Sequence, residues 1–500
     1  LPIPKRMRWG DSDIEFVRPV HWVVAMLGSE VLEGTVLGLP TGNTTWGHRF
    51  HHNEPITLEH AKDYADKLND PGKVIASPTE REKRIFEQIK KTNTPNAIEK
   101  TSLPLMIELV ALVEWPHVIV GEFDQSFLSV PKECLISSMR DHQKYIHYED
   151  DSGNLVNRFA TVSNIDSRDR ESEQSIRAGN ERVLRARLSD ARFFWETDCK
   201  SKLADRLPSL EGVLFHAKLG SVLSKAERIS ALAKFFAKHT LANSKEAARA
   251  GLLAKADLTS NTVGEFPKMQ GIAGRYFATA DCEPSSVSEA IEQHYRPKFA
   301  EDDLPAEAVG QTVALADKVD TLVGIFAAGE EPTGEKDPYA LRRAAIGVLR
   351  LLIEMNTDSA LEALIELSAG EYEKQDVSVS EDSKARATKF IMERLRSYYL
   401  DRSFTADQIN AVMACTPLAP LDFHNRLIAV RAFAELPEAE HLAAANKRIA
   451  NILKKTDGST TKLDKSLLIE TAEKALAKEL ASATKSASAL FDKADYEGGL

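Results

Sequence analysis

The sequence predicts a multidomain α+β protein, with a mixed α/β N-terminal third and an almost wholly helical remainder. Three observations carry that prediction. From Trp9 to Phe159, short apolar runs alternate with Gly, Pro and Asn, the texture of strands and turns. From Ile176 onward, apolar residues recur at helical spacing. The 500 residues also exceed one core, since domains run to about 100–200 residues each. A hydrophobic fraction of 43% is enough to build several cores and excludes disorder as the default state.

Taken in order, the strand signals are the runs at residues 20–27, 109–113 and 117–120. Between them, residues 57–68 and 78–91 carry charged, helix-favouring sequence, the second opening with Pro78 and with Glu80 and Glu82 in its first turn. Leu184, Leu188, Ala191 and Trp195 then make one helical stripe. Asp337-Pro338 reads as a helix start, with Asp capping and Pro at the first helical position. Leu341, Ala345, Val348 and Leu352 share a face of that helix. Residues 330–336, 373–382 and 416–420 read as linkers. About two thirds of the chain is expected to be helical, and strand signals essentially stop after residue 176.

The same residues exclude several functions. Cys134, Cys199, Cys282 and Cys415 form no C-x-x-C pair, which removes zinc ribbons and a disulfide scaffold and fits a reducing, cytoplasmic setting. No stretch approaches 18 consecutive apolar residues, so no membrane partner is expected. The run from Gly329 to Lys336 resembles a phosphate loop, but its Lys is one place late and no Ser or Thr follows. Neither G-x-G-x-x-G nor G-x-S-x-G occurs. His48, His51 and His52 with Glu54 are the one dense ligand-type cluster; their strand-and-turn surroundings favour polar histidines on a surface loop over a metal site. His142 and His147 read as packing or RNA-facing groups. The net charge of −11 argues against wholesale coating by nucleic acid, and no DNA partner is expected; local basic patches decide.

Such patches exist. Arg158, Arg182, Arg185 and Arg192 form one group, read as structural because Glu181 stands four residues before Arg185. Arg342, Arg343 and Arg350 form a second. The third, Arg426, Arg431, Asn446, Lys447, Arg448, Asn451, Lys454 and Lys455, is the more suggestive. Ile449, Ile452 and Leu453 make an apolar stripe there, while amides and cations occupy the other faces, a pairing suited to bases and phosphates of unpaired RNA. The RNA-binding candidates are therefore Arg426, Asn446, Lys447, Arg448, Asn451, Lys454, Lys455, Arg342 and Arg343.

Several strings stand in one order: Lys5-Arg6-Met7-Arg8-Trp9-Gly10, Phe16-Val17-Arg18-Pro19-Val20-His21-Trp22, Gly47-His48-Arg49-Phe50, Leu112-Val113-Glu114-Trp115-Pro116, His142-Gln143-Lys144-Tyr145, Gly179-Asn180-Glu181-Arg182-Val183, Gly264-Glu265-Phe266-Pro267 with Gln270-Gly271, and Asp337-Pro338 through Arg342-Arg343. Together they resemble the beta subunit of the bacterial heterotetrameric glycyl-tRNA synthetase, a class II enzyme. The resemblance spans nearly all 500 residues. It implies a division of labour: an alpha subunit carries the catalytic core for glycine and ATP, with Mg, and the beta subunit supplies tRNA recognition within an α2β2 assembly. No catalytic residue, metal ligand or cofactor is then expected on this chain. Its partners would be the alpha subunit and tRNA(Gly).

The same resemblance implies four domains: a B3/B4-like domain over 1–175, a helical HD-like domain over 176–330, a helical connection over 331–420, and an anticodon-binding helical domain over 421–500. The family pattern also implies further sequence before Leu1 and after Leu500. HD hydrolases hold metal through a His-Asp dipeptide with a separate His and Asp, and this chain has no such dipeptide. His216, Asp257, Asp317 and Asp320 are a weak candidate cluster, and a degenerate scaffold touching tRNA is favoured. The rival reading is an HD-like metal phosphohydrolase; a structural protein that only assembles the enzyme is a third.

Overall fold

Short apolar runs in the N-terminal third need a partner layer to bury them, and an antiparallel sheet backed by helices provides it. The computed structural model describes residues 3, 5–166, 170–415, 417, 419–453, 463 and 467–500. The chain divides into two compact units, Leu1–Asp198 and Cys199–Leu500.

In the first unit, short ladders come first: Val23–Val24 runs parallel to Leu39–Gly42, and Thr44–Trp46 pairs antiparallel with Pro55–Thr57. The main sheet has four antiparallel strands: β1 (Ile98–Lys100), β2 (His117–Glu122), β3 (Ile146–Glu149) and β4 (Leu155–Ser163), in the order β1-β3-β4-β2. The register places Val120 opposite Ala160, and Ile146 opposite the same Ala160 on the other side. Helix α1 (Pro78–Lys90) begins where Pro78 and its cap dictate, Ser77 Oγ accepting the Glu80 amide. Ile85 and Ile89 of α1 meet Leu105, Leu109 and Val110 of α2 (Leu103–Leu112) over Ile146, Tyr148 and Ala160 of the sheet.

The expected strand at 109–113 is therefore the end of α2. Five apolar residues cannot distinguish the two periods. Burial of Leu105, Met106, Leu109 and Val110, with Leu103, Ile107 and Leu112 exposed, is the helical pattern. Helix α3 (Arg170–Asp198) closes the unit, with Leu184, Leu188 and Ala191 buried and Trp195 half-buried.

The second unit is nearly all helix. Among the described residues its exception is a hairpin of Leu214–His216 with Gly220–Ser221, too short to leave an alternating pattern. The helices are α4 (Val222–Thr240), α5 (Ser244–Leu253), α6 (Ile272–Ala280), α7 (Ser285–Gln293) and α8 (Ala308–Ala328), then α9 (Leu341–Glu354), α10 (Leu361–Glu373) and α11 (Glu381–Leu400). Helix α8 is apolar on almost every face because α4, α7, α9, α10 and α11 all pack against it.

Helix α9 starts three residues later than Asp337-Pro338 suggests. Ala340 takes a left-handed backbone, and the Asp337 carboxylate reaches past it to accept the amides of Leu341 (2.8 Å) and Arg342 (3.0 Å). The capping role holds while the helix boundary moves. Leu341, Ala345, Val348 and Leu352 are all fully buried, as their spacing requires.

Beyond α11 come α12 (Ala406–Met413), α13 (Pro420–Ala434), α14 (Pro437–Leu453), α15 (Thr471–Phe491) and the short α16 (Tyr496–Gly499), whose Tyr496 hydroxyl donates to Asp422 of α13. Among the described residues, no helix is long and apolar enough to cross a membrane.

Candidate nucleic-acid interface

Helix α14 opens with Glu438 and Glu440, which suit the positive end of its dipole, and carries its cations toward the other end. Asn446, Lys447, Arg448 and Asn451 are all exposed on it. Neither Lys447 nor Arg448 has an ion-pair partner among the described residues, so their charges face solvent undiminished. The apolar stripe of Ile449, Ile452 and Leu453 is 55%, 56% and 48% exposed. Lys454 and Lys455 lie outside the described residues.

The other predicted residues are placed differently. Arg426 is held within α13 and by its neighbour: Nε donates to Asp422 at 2.9 Å, and its guanidinium lies 4.4 Å from the Tyr496 ring. Arg342 donates to the Gly334 carbonyl at 2.6 Å, bracing the turn before α9. Arg343, one residue on, is exposed and lines a cavity. The described members of the predicted set are thus divided among α9, α13 and α14, and among them only the α14 residues present unengaged amides and cations together.

In the first unit two of the four arginines read as structural are engaged with aromatic rings, whereas Arg182 and Arg185 are exposed, and among the described residues the expected Glu181–Arg185 pair does not form. Arg192 lies 4.6 Å over Phe127 and Arg158 5.1 Å over Tyr148. Glu181 accepts the Glu122 amide at 3.0 Å, tying α3 to the end of β2. Tyr145 stacks on Phe159, with ring centroids 4.8 Å apart, and donates to Asn180 at 2.6 Å. Two of the quoted strings therefore meet inside one core. His48 departs from the surface-loop expectation: it is fully buried, with Nδ1 accepting from the amides of Phe50 and His51. His147 is buried in β3, a packing position, where burial lowers its imidazole to about 4.

The four residues of the weak HD-type cluster do not converge. His216 meets Glu330 at 3.1 Å. Asp257 accepts the amides of Gly271 (2.6 Å) and Gly274 (3.1 Å); Gly271 supplies the φ of +82° that this turn needs. Burial pushes the Asp257 carboxyl up to about 6 despite those amides. Asp317 and Asp320, three apart on α8, do come together, but on ammonium and guanidinium groups. Lys225 lies 2.9 Å from each carboxylate, Lys255 2.9 Å from Asp317, and Arg228 Nε 2.7 Å from Asp320. Burial alone would raise Asp317; Lys225 and Lys255 hold it well below the usual carboxylate range.

His294, which sequence reading missed, completes this cluster. Its Nδ1 donates to the Ile291 carbonyl at 2.7 Å and its Nε2 accepts from Lys255 at 2.7 Å, the pattern of a neutral ring. Burial, with Lys255 adding to it, keeps its pKa well below the ordinary value. Lysine ammonium groups thus satisfy carboxylates that a metal would otherwise need. Among the described residues, no three His, Cys, Asp or Glu side chains are grouped to hold a metal ion. Dialysis against a chelator is accordingly expected to leave the thermal midpoint unchanged, and a fall of several degrees in a melting curve would overturn that assignment.

The family model for the glycyl-tRNA synthetase beta subunit matches residues 1–414. The chain belongs to that family. It is similar to the glycine–tRNA ligase beta subunit of Colwellia psychrerythraea, with 46% identity over 479 residues, covering 95% of this chain and 69% of that protein. The counterpart in Chromohalobacter salexigens is 45% identical over 503 residues, covering 100% of this chain and 72% of that protein. That of Acinetobacter baylyi is 46% identical over 502 residues, with the same coverage. The glycyl-tRNA synthetase beta family model ends at the close of α12, so α13 and α14 are covered by the relatives and not by the model.

Proposed function

We propose that this chain is the tRNA-recognising, non-catalytic subunit of a glycine–tRNA ligase (EC 6.1.1.14), supporting ATP-dependent attachment of glycine to tRNA(Gly) by a separate alpha subunit. The observation that carries this reading is sequence identity of 45–46% to glycine–tRNA ligase beta subunits over at least 95% of the chain. ATP and Mg belong to the holoenzyme, an α2β2 assembly in the cytoplasm, and adenylation takes place on the alpha subunit. Within the chain, residues 1–175 act as a B3/B4-like domain, 176–330 as a degenerate HD-like scaffold, 331–420 as a helical connection and 421–500 as an anticodon-binding helical domain.

Phosphate contacts position a tRNA and contacts to splayed bases specify it. The exposed α14 surface has both kinds of group, Lys447 and Arg448 for phosphate and Asn446 and Asn451 for base edges. The deciding experiment is glycylation of tRNA by purified alpha subunit with and without this chain; activity that does not depend on it rejects the reading. A Lys447→Ala, Arg448→Ala variant is expected to weaken tRNA binding and to flatten its log–log salt dependence by about two units, roughly one per lost phosphate contact. An unchanged slope in binding titrations at several salt concentrations would remove α14 from the interface.

A further inference from the structure

The second unit holds a cavity of about 1020 Å³ between the turn before α6 and the start of α9, at the upper end of the range for small-molecule sites. Its wall includes Lys298, Lys318 and Arg343, and Asp317 is its one acid among the described residues. That acid is already matched by Lys225 and Lys255, each 2.9 Å away. Lys318 is 8% exposed, and its Nζ donates to the carbonyls of His294 (3.3 Å) and Arg296 (2.8 Å). Carbonyl dipoles satisfy two of its three N–H groups but do not cancel its charge. Lys298 and Arg343 are exposed at the rim, with no ion-pair partner among the described residues. Positive charge therefore exceeds negative along the whole wall, in a concave and partly desolvated setting where it acts most strongly on an anion.

The cavity also has two aromatic rings in its wall, one face of Tyr295 being covered by Lys255, whose Nζ lies 4.0 Å from the ring centroid. Tyr295 and Tyr339 line it, and the Tyr295 hydroxyl accepts from Gln270 at 2.6 Å, fixing that ring. A bare phosphate would leave most of the volume empty, whereas a base beside the tyrosines and a phosphate on the cations use both kinds of wall. We propose that this cavity binds a nucleotide through its phosphate, with Lys298, Lys318 and Arg343 as the anion contacts and Tyr295 and Tyr339 beside the base. The phosphate comes from a free nucleotide or from a nucleotide of RNA.

Calorimetric titration of the full chain with adenosine 5′-monophosphate and with adenosine tests this. The monophosphate is expected to bind at least tenfold more tightly than the nucleoside. A Lys298→Ala, Arg343→Ala variant, altered only at exposed positions, is expected to lose at least tenfold in monophosphate affinity while its melting curve stays in place. No binding of the monophosphate, equal affinity for the nucleoside, or unchanged affinity in the variant overturns the proposal. Added tRNA separates the sources: displacement of the monophosphate assigns the phosphate to RNA, and undisturbed binding assigns it to a free nucleotide, each supporting the site. This test needs no alpha subunit and no glycylation, so it stands apart from the outcome for α14.

Discussion

Replacing Asp320 by Ala is expected to destabilise the second unit by about 3–5 kcal/mol, the range for removing one partner of a buried ion pair. Asp320 is fully buried on α8. One oxygen accepts from Arg228 Nε at 2.7 Å; the other accepts from Lys225 at 2.9 Å and from the second Arg228 nitrogen at 3.4 Å. Both cations are themselves buried, so losing the carboxylate leaves charge in a low-dielectric interior with no water to take its place. Part of the loss is offset, because Lys225 keeps Asp317, and Arg228 keeps Gln375 at 2.6 Å and the face of Tyr372 at 4.0 Å. Asp320→Asn should be the milder change, since it retains an acceptor for Arg228 while giving up the charge. Urea unfolding followed on a signal from this unit reads the difference as a shift in midpoint. A change under about 1 kcal/mol would show that the cations find other solvation and that the cluster is not a keystone of the helical packing.

That cluster also marks where sequence reading stops. Periodicity registers apolar residues, and it placed the stripes at Leu184-Leu188-Ala191-Trp195 and Leu341-Ala345-Val348-Leu352, which are buried apart from the half-buried Trp195. It cannot register a lysine that is buried because its partner lies 95 residues away, as Lys225 does with Asp320. Asp317 and Asp320 were visible as a pair three apart, but whether metal or ammonium answers them is decided by α4 and by Lys255, at long range. His294 carried no sequence signal, since a lone histidine near a helix end has many uses. Arg426, expected at a tRNA surface, stands four residues after Asp422 and pairs with it, an i, i+4 spacing that the reading of basic patches did not weigh. The amide-and-cation face of α14 was legible because exposed polar residues need no distant partner to define them. The exposure of the Ile449-Ile452-Leu453 stripe was not, because periodicity shows that apolar residues share a face and not whether another layer covers it.

Gly324→Ala is expected to cost about 3 kcal/mol even though alanine is the better helix former by roughly 1 kcal/mol. Gly324 lies within α8, where a Cβ would sit 2.5 Å from Tyr372 Cζ and 3.0 Å from Leu219 Cδ1, with the tyrosine hydroxyl closer still. Tyr372 is fully buried on α10 and cannot swing into solvent. Its hydroxyl donates to the Asp320 carbonyl at 2.9 Å and accepts from Arg228 at 3.2 Å. A methyl group at 324 therefore overpacks the α8–α10 crossing and pushes the hydroxyl off two buried partners, adding an unsatisfied-group penalty to the steric one. The two terms should couple to the ion-pair cluster. Tyr372→Leu removes both the hydroxyl and Cζ, leaving room that the alanine methyl partly fills. In that background Gly324→Ala should cost at least 1 kcal/mol less than in the parent chain, a coupling that a double-mutant cycle by urea unfolding resolves. Equal costs in the two backgrounds would mean that the crossing relaxes around the methyl, and that the glycine is not required by the approach of Tyr372.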